Sequence, residues 1–151
     1  MKKLLAVVLF LFSTAVTAQT YMLLPIVSVY DGDTIKTNLS WRLPTPLNKV
    51  SIRILNLDTP EMPAKSYLVT GKLGRAKCIK EAVMAIKAKE FVEKLTNGYT
   101  KMKVENFKYG KWGGRIVADV SIGGIDIGAA LIKKGLAIEY SGGTKTHDWC
   151  N

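Results

Sequence analysis

Residues 50–61 read VSIRILNLDTPE, and this stretch constrains the fold more than any other. Val50, Ile52 and Ile54 alternate with Ser51 and Arg53, the two-residue period of a half-buried strand. Asp58, Thr59, Pro60 and Glu61 break that period. Pro60 has no amide hydrogen and fixes its own φ, so the strand has to end and turn there. The turn holds a carboxylate on each side of the proline. Side chains alternate across a strand, so Arg53, Leu57 and Glu61 share a parity that Asp58 lacks. Bringing all three charges to one place needs a bulge or a sheet edge.

A second stretch, VYDGDTIKTNL at 29–39, sets Asp31 and Asp33 two residues apart around Gly32. The two stretches together offer three aspartates, a glutamate, an arginine and the Thr59 carbonyl. Hard oxygen donors of this kind suit calcium or magnesium, not zinc or copper. An arginine and a glutamate beside such an ion can clamp and attack a phosphodiester.

With DGDT at 31–34, RILNLDTPE at 53–61 and an arginine in KWGGRIVADV at 111–120, the chain resembles the staphylococcal nuclease (thermonuclease) family, in particular its exported bacterial members. The similarity runs on through a central helix to GLAIEY at 135–140. It implies an α+β, mainly β fold: a five-stranded OB-type barrel with a central helix and a short second helix. It also implies a calcium-dependent endonuclease that hydrolyses DNA and RNA with water and leaves 3′-phosphates. By this resemblance one Ca2+ ion is held by Asp33, Asp58 and the Thr59 carbonyl, with Asp31 standing behind them. Glu61 is the expected general base, and Arg53 and Arg115 are the guanidinium pair that meets charge on the phosphate. The chain departs from the best-known members at 41–49, and at its end, where YSGGTKTHDWCN replaces a long helix.

The rest of the sequence is consistent with an exported single domain. Lys2 and Lys3 precede an apolar run at 4–12, and Val16-Thr17-Ala18 offers small residues before a cut at Gln19. Residues 1–18 therefore read as a secretory signal peptide, the alternative being a membrane anchor. The run is shorter than the ~20 residues that span a bilayer. Residues 19–151 make one domain. The formal charge is +10; without Lys2 and Lys3 it is +8, from 20 basic and 12 acidic residues. Such a balance favours a polyanionic partner, be it nucleic acid, lipid or acidic polysaccharide. In an oxidising compartment Cys78 and Cys150 are expected to pair and staple the tail to the central helix; the alternative is two free thiols too far apart to join.

Along the chain, an apolar stretch at 21–30 broken by Pro25, then 34–39, then a strand from Val50 read as three strands. Residues 61–73 show no clear period and read as a mobile loop. A helix is expected over 74–96, with a stripe of Met84, Ala88, Phe91, Val92 and Leu95 and a stop at Asn97-Gly98. Strands follow at 100–107 and 115–122, then a short helix at 127–134. By itself this order gives an α+β domain with a small antiparallel sheet.

Trp112 and Tyr140 are candidates for stacking on a base or sugar, and Lys111 for meeting a phosphate. His147 is the one histidine, so histidine-pair and Ser-His-Asp chemistries are excluded, as is a two-cysteine structural zinc site. G-x-x-x-x-G-K-[ST] is absent. The rival to an enzyme is a non-catalytic OB-type module that binds single strands or another polyanion, which would leave the Arg-Asp-Glu set without work.

Overall fold

The computed structural model describes residues 20–40, 49–111 and 114–151. The signal-peptide stretch, the 41–48 connection and Trp112 lie outside them. The chain forms β1 (Tyr21–Pro25), β2 (Ser28–Asp31), β3 (Thr34–Asn38), β4 (Lys49–Ile54) and β5 (Leu57–Asp58) before its first helices. It continues with α1 (Tyr67–Thr70), α2 (Ile79–Thr96), β6 (Lys101–Tyr109) and β7 (Arg115–Ile122). It finishes with β8 (Ile125–Asp126), α3 (Ile127–Lys133) and β9 (Ile138–Glu139).

The main sheet runs β1-β6-β7-β4-β3-β2, with β8 hairpinned onto β7; β5 and β9 form a separate ladder. Every pair is antiparallel except β4 and β7, which run parallel. The expected all-antiparallel sheet is corrected at that one pair. The two outermost strands are consecutive in the chain. At Pro25-Ile26-Val27 the backbone changes partners: Ile26 N–H donates to the Thr100 carbonyl at 2.9 Å, and Val27 N–H to the Lys36 carbonyl at 2.9 Å. The Thr37 hydroxyl donates to the Pro25 carbonyl at 2.7 Å. The sheet therefore curls until its two edges lie beside one another, but among the described residues no strand pair closes the ladder into a barrel.

One face of the curled sheet is apolar. Leu24, Ile35, Ile52, Met102, Val104, Ala118, Val120 and Ile122 are all buried, and Ile127 and Leu131 of α3 pack onto them. The buried side of α2 is built from Ala82, Ala85, Ala88 and Val92, so the expected stripe shifts toward small residues while Met84, Phe91 and Leu95 sit half-buried at its margin. Small side chains let the helix come close. A Cβ built on Gly32 would meet the Ala88 Cβ at 2.8 Å and the Thr59 Cγ2 at 3.2 Å, so glycine is needed where α2 crosses the 31–33 bend.

The helix begins at Ile79, not Gly74. Gly74 has φ +62°, outside the helical region, and Cys78 is the N-cap. Glu81, buried in the first turn, accepts from the Lys77 amide at 2.6 Å, a variant of the capping box. The 61–73 stretch, expected as a loop without structure, contains the short helix α1.

Candidate active site

The parity conflict between Arg53 and Asp58 is resolved by the backbone. β4 ends at Ile54, and Asn56 turns the chain with φ 53° before β5 resumes pairing. Asparagine tolerates this left-handed conformation better than most residues. After that turn Asp58, 2 % exposed, packs beneath the pocket that Arg53 lines and reaches it through Lys145.

Strand register brings up the cations. Thr34 pairs with Arg53 and Lys36 with Ser51, and Ser51 lies opposite Arg115 across the parallel pair. Partners in a ladder point to the same side, so Lys36, Arg53 and Arg115 share the face away from the apolar core. Arg53 Nη1 lies 2.8 Å from Asp33 Oδ1. Asp33 also accepts from the Thr34 hydroxyl at 2.9 Å and the Thr59 hydroxyl at 3.0 Å. Its own amide donates to Asp31 Oδ1 at 3.2 Å, so Asp31 shapes the bend that presents Asp33. Burial, reinforced by the Asp31 charge, pushes the Asp33 carboxyl up to about 7, against the pull of Arg53 and the two hydroxyls.

Glu61 lies across the pocket, half-buried. Its backbone amide donates to Glu81 Oε1 at 3.2 Å, which ties it to the start of α2. Its carboxylate meets Lys145 Nζ at 2.8 Å and Arg75 Nε at 3.4 Å. Burial pushes the Glu61 carboxyl up, but Lys145, Arg75 and Arg53 outweigh it and hold the group below its ordinary value. Burial likewise opposes charge on Lys145, yet Asp58 and Glu61 raise it above the usual lysine value. The Lys145 ammonium is 2.6 Å from Asp58 Oδ1, and that buried oxygen receives no hydrogen bond in good geometry. Trp149 Nε1 donates to Asp58 Oδ2 at 3.4 Å.

A single polar pocket of about 510 Å³ is lined by Asp31, Asp33, Arg53, Thr59, Glu61 and Arg115, with Arg75, Tyr140 and Lys145 at its walls. Lys111 falls outside it. With Arg53, Arg115 and Tyr140, Lys111 lines an adjoining pocket of about 320 Å³. Asp58 is packed beneath the site, reaching it through Lys145. Among the described residues no group of three or more His, Cys, Asp or Glu converges tightly enough to hold a metal. The donor set is nonetheless hard oxygen. The lysine ammonium between Asp58 and Glu61 shows that these carboxylates accept a cation.

The family model for staphylococcal nuclease homologues matches residues 51–148. That span is well over half of the chain. The chain belongs to the staphylococcal nuclease family. No curated protein matches it. The family is generally one of nucleases, and its match takes in Arg53, Asp58, Thr59, Glu61, Arg115, Tyr140 and Lys145 while leaving Asp31 and Asp33 upstream. In this staphylococcal nuclease homologue the sequence reading missed Arg75, Glu81, Lys145 and Trp149. For the last two the sequence holds only a lysine and a Trp-Cys pair in the 140–151 tail, with nothing local to say where that tail runs. The Cys78–Cys150 bridge is formed, with Cα atoms 6.0 Å apart.

Proposed function

We propose that the protein is a calcium-dependent endonuclease that hydrolyses DNA and RNA phosphodiesters with water, leaving 3′-phosphates. The observation that carries it is the convergence of Asp33, Arg53, Glu61 and Arg115 on one polar pocket in a staphylococcal nuclease homologue. Asp33, Asp58 and the Thr59 carbonyl would hold one Ca2+ ion, with Asp31 fixing the bend behind them. When bound, that ion would neutralise phosphate charge and order a water. Arg53, already anchored on Asp33, presents its remaining guanidinium donors to the pocket, and Arg115 approaches from the neighbouring strand. Two forked cations suit the equatorial oxygens of a pentavalent phosphorus, where charge accumulates. Glu61 takes the proton of the attacking water once its carboxylate is freed from Lys145.

Tyr140 and Lys111 line the adjoining pocket, where a neighbouring nucleotide would lie, and Trp112, next in sequence to Lys111, would stack there in this reading. All of these groups address backbone and base faces, not base edges, so little sequence preference is expected. In this reading β1 and β2 would count as one bent strand of a five-stranded OB-type barrel. Residues 1–18 would direct export and be removed, leaving 19–151 as a single monomeric domain in the periplasm or outside the cell.

Digestion of single-stranded DNA and of RNA by purified protein, with calcium or with a chelator, tests the proposal. Cleavage that requires calcium and yields 3′-phosphate ends is expected. Cleavage that survives the chelator would remove the metal, and salt-sensitive binding without cleavage at any divalent ion would favour the polyanion-binding module.

A further inference from the structure

An exposed lysine in a polar tail ordinarily extends into water. Lys145 instead sets its ammonium against two carboxylates, 2.6 Å from Asp58 Oδ1 and 2.8 Å from Glu61 Oε1. The tail is fixed on both sides of it. On the near side, β9 pairs with β5, Tyr140 N–H donates to the Asn56 carbonyl at 3.0 Å, and the Tyr140 hydroxyl donates to the Gly143 carbonyl. Gly142 and Gly143, with φ of 101° and 90°, make the bend that turns the tail back over the pocket. On the far side, Trp149 is buried, its indole N–H reaches Asp58, and Cys150 is bonded to Cys78 at the start of α2. A cation tethered at both ends is presented to its carboxylates at high effective concentration.

We propose that Lys145 is a resident cation that competes with the divalent ion for Asp58 while it occupies Glu61, and so sets the metal affinity of the site. This rests on the metal-dependent reading above. A divalent ion on Asp58 would lie near the ammonium in a partly buried setting, where like charges repel more strongly than in water. Entry of the ion therefore requires Lys145 to swing out, which also frees Glu61. Once displaced, Lys145 remains at the pocket wall beside Arg75, facing the polyanion.

Isothermal titration of calcium into the intact, disulfide-bonded protein tests this, with the calcium-induced shift in melting temperature as a second readout. Lys145→Met keeps the alkyl chain and removes the charge. It is expected to bind calcium at least tenfold more tightly than wild type, while its metal-free form melts at a lower temperature because Asp58 has lost its partner. Lys145→Arg, which keeps a cation, should stay within a few-fold of wild type. Cys78→Ser/Cys150→Ser loosens the tether and should tighten calcium binding in the same direction as Lys145→Met. It also gives an independent answer if Lys145→Met folds poorly. Equal or weaker calcium affinity in both the charge-removed and untethered proteins overturns the competition and leaves the metal reading standing. No heat and no melting shift with calcium in any of the proteins, wild type included, overturns both.

Discussion

Asp33 is the most deeply buried carboxylate lining the pocket. It is almost fully buried, carries Asp31 beside it, and is compensated by one arginine nitrogen and two hydroxyls. Its carboxyl is pushed up to about 7, above the range it would have in the unfolded chain. Folding is therefore opposed by its ionisation. The opposition grows as pH rises from about 4, the unfolded aspartate value, and is complete above the folded one. A divalent cation beside the ionised group removes that cost. Thermal melts with and without calcium should show a larger stabilisation at pH 8 than at pH 5. An equal or larger effect at pH 5 would place calcium elsewhere. The Arg53, Asp58 and Glu61 side chains could be picked out from the sequence because a strand period collapses into a proline turn there. Lys145 could not, since its two carboxylate partners lie more than eighty residues away and nothing local announces the path of the tail.

Among the elements, α2 packs closely on the 31–33 bend that carries Asp33, with no room for a side chain at Gly32. Gly32→Ala would drive a methyl to 2.8 Å from Ala88 Cβ and press on Thr59, both attached to backbone that is itself packed. The variant should lose about 1–3 kcal/mol of stability by overpacking. Ala88→Gly in the same protein should recover part of that loss, despite its own helix penalty of about 1 kcal/mol. Chemical denaturation of the two single variants and the double variant measures the coupling. Strict additivity would show that the helix does not press on the bend. The strands themselves could be read from period-two patterning, with ends displaced by a residue or so. Three features could not. The parallel β4–β7 pairing joins segments distant in sequence. The short β5–β9 ladder has two residues per strand and no pattern to detect. The late start of α2 depends on a positive-φ glycine and a cysteine N-cap, while helix-compatible residues at 75–78 disguise it.

The molecule as a whole is a curled sheet whose edges share one continuous stretch of chain, crossed by one helix and strapped by its own tail. The strap closes 72 residues of sequence separation through Cys78–Cys150. A loop of that size is worth up to about 4 kcal/mol in unfolded-state entropy, so Cys78→Ser/Cys150→Ser should lower the melting temperature by on the order of 10 °C. An unchanged melting temperature would mean that the bridge only positions the tail. That the two cysteines would pair was foreseeable from composition and the leader-like start; that the bridge would carry a lysine into the site was not. The positive charge of the whole chain and the cationic outer face of β3, β4 and β7 favour the same kind of partner, a polyanion. In the proposed reaction Glu61 takes a proton from the water that attacks a phosphorus held opposite Arg53 and Arg115. The most direct test of that step is the initial rate of single-stranded DNA cleavage at saturating calcium by Glu61→Gln, beside wild type and a Lys133→Ala surface control. A fall of about 10²-fold or more is expected for Glu61→Gln with its melting curve preserved, and none for the control; a Glu61→Gln rate within threefold of wild type would remove Glu61 from the reaction.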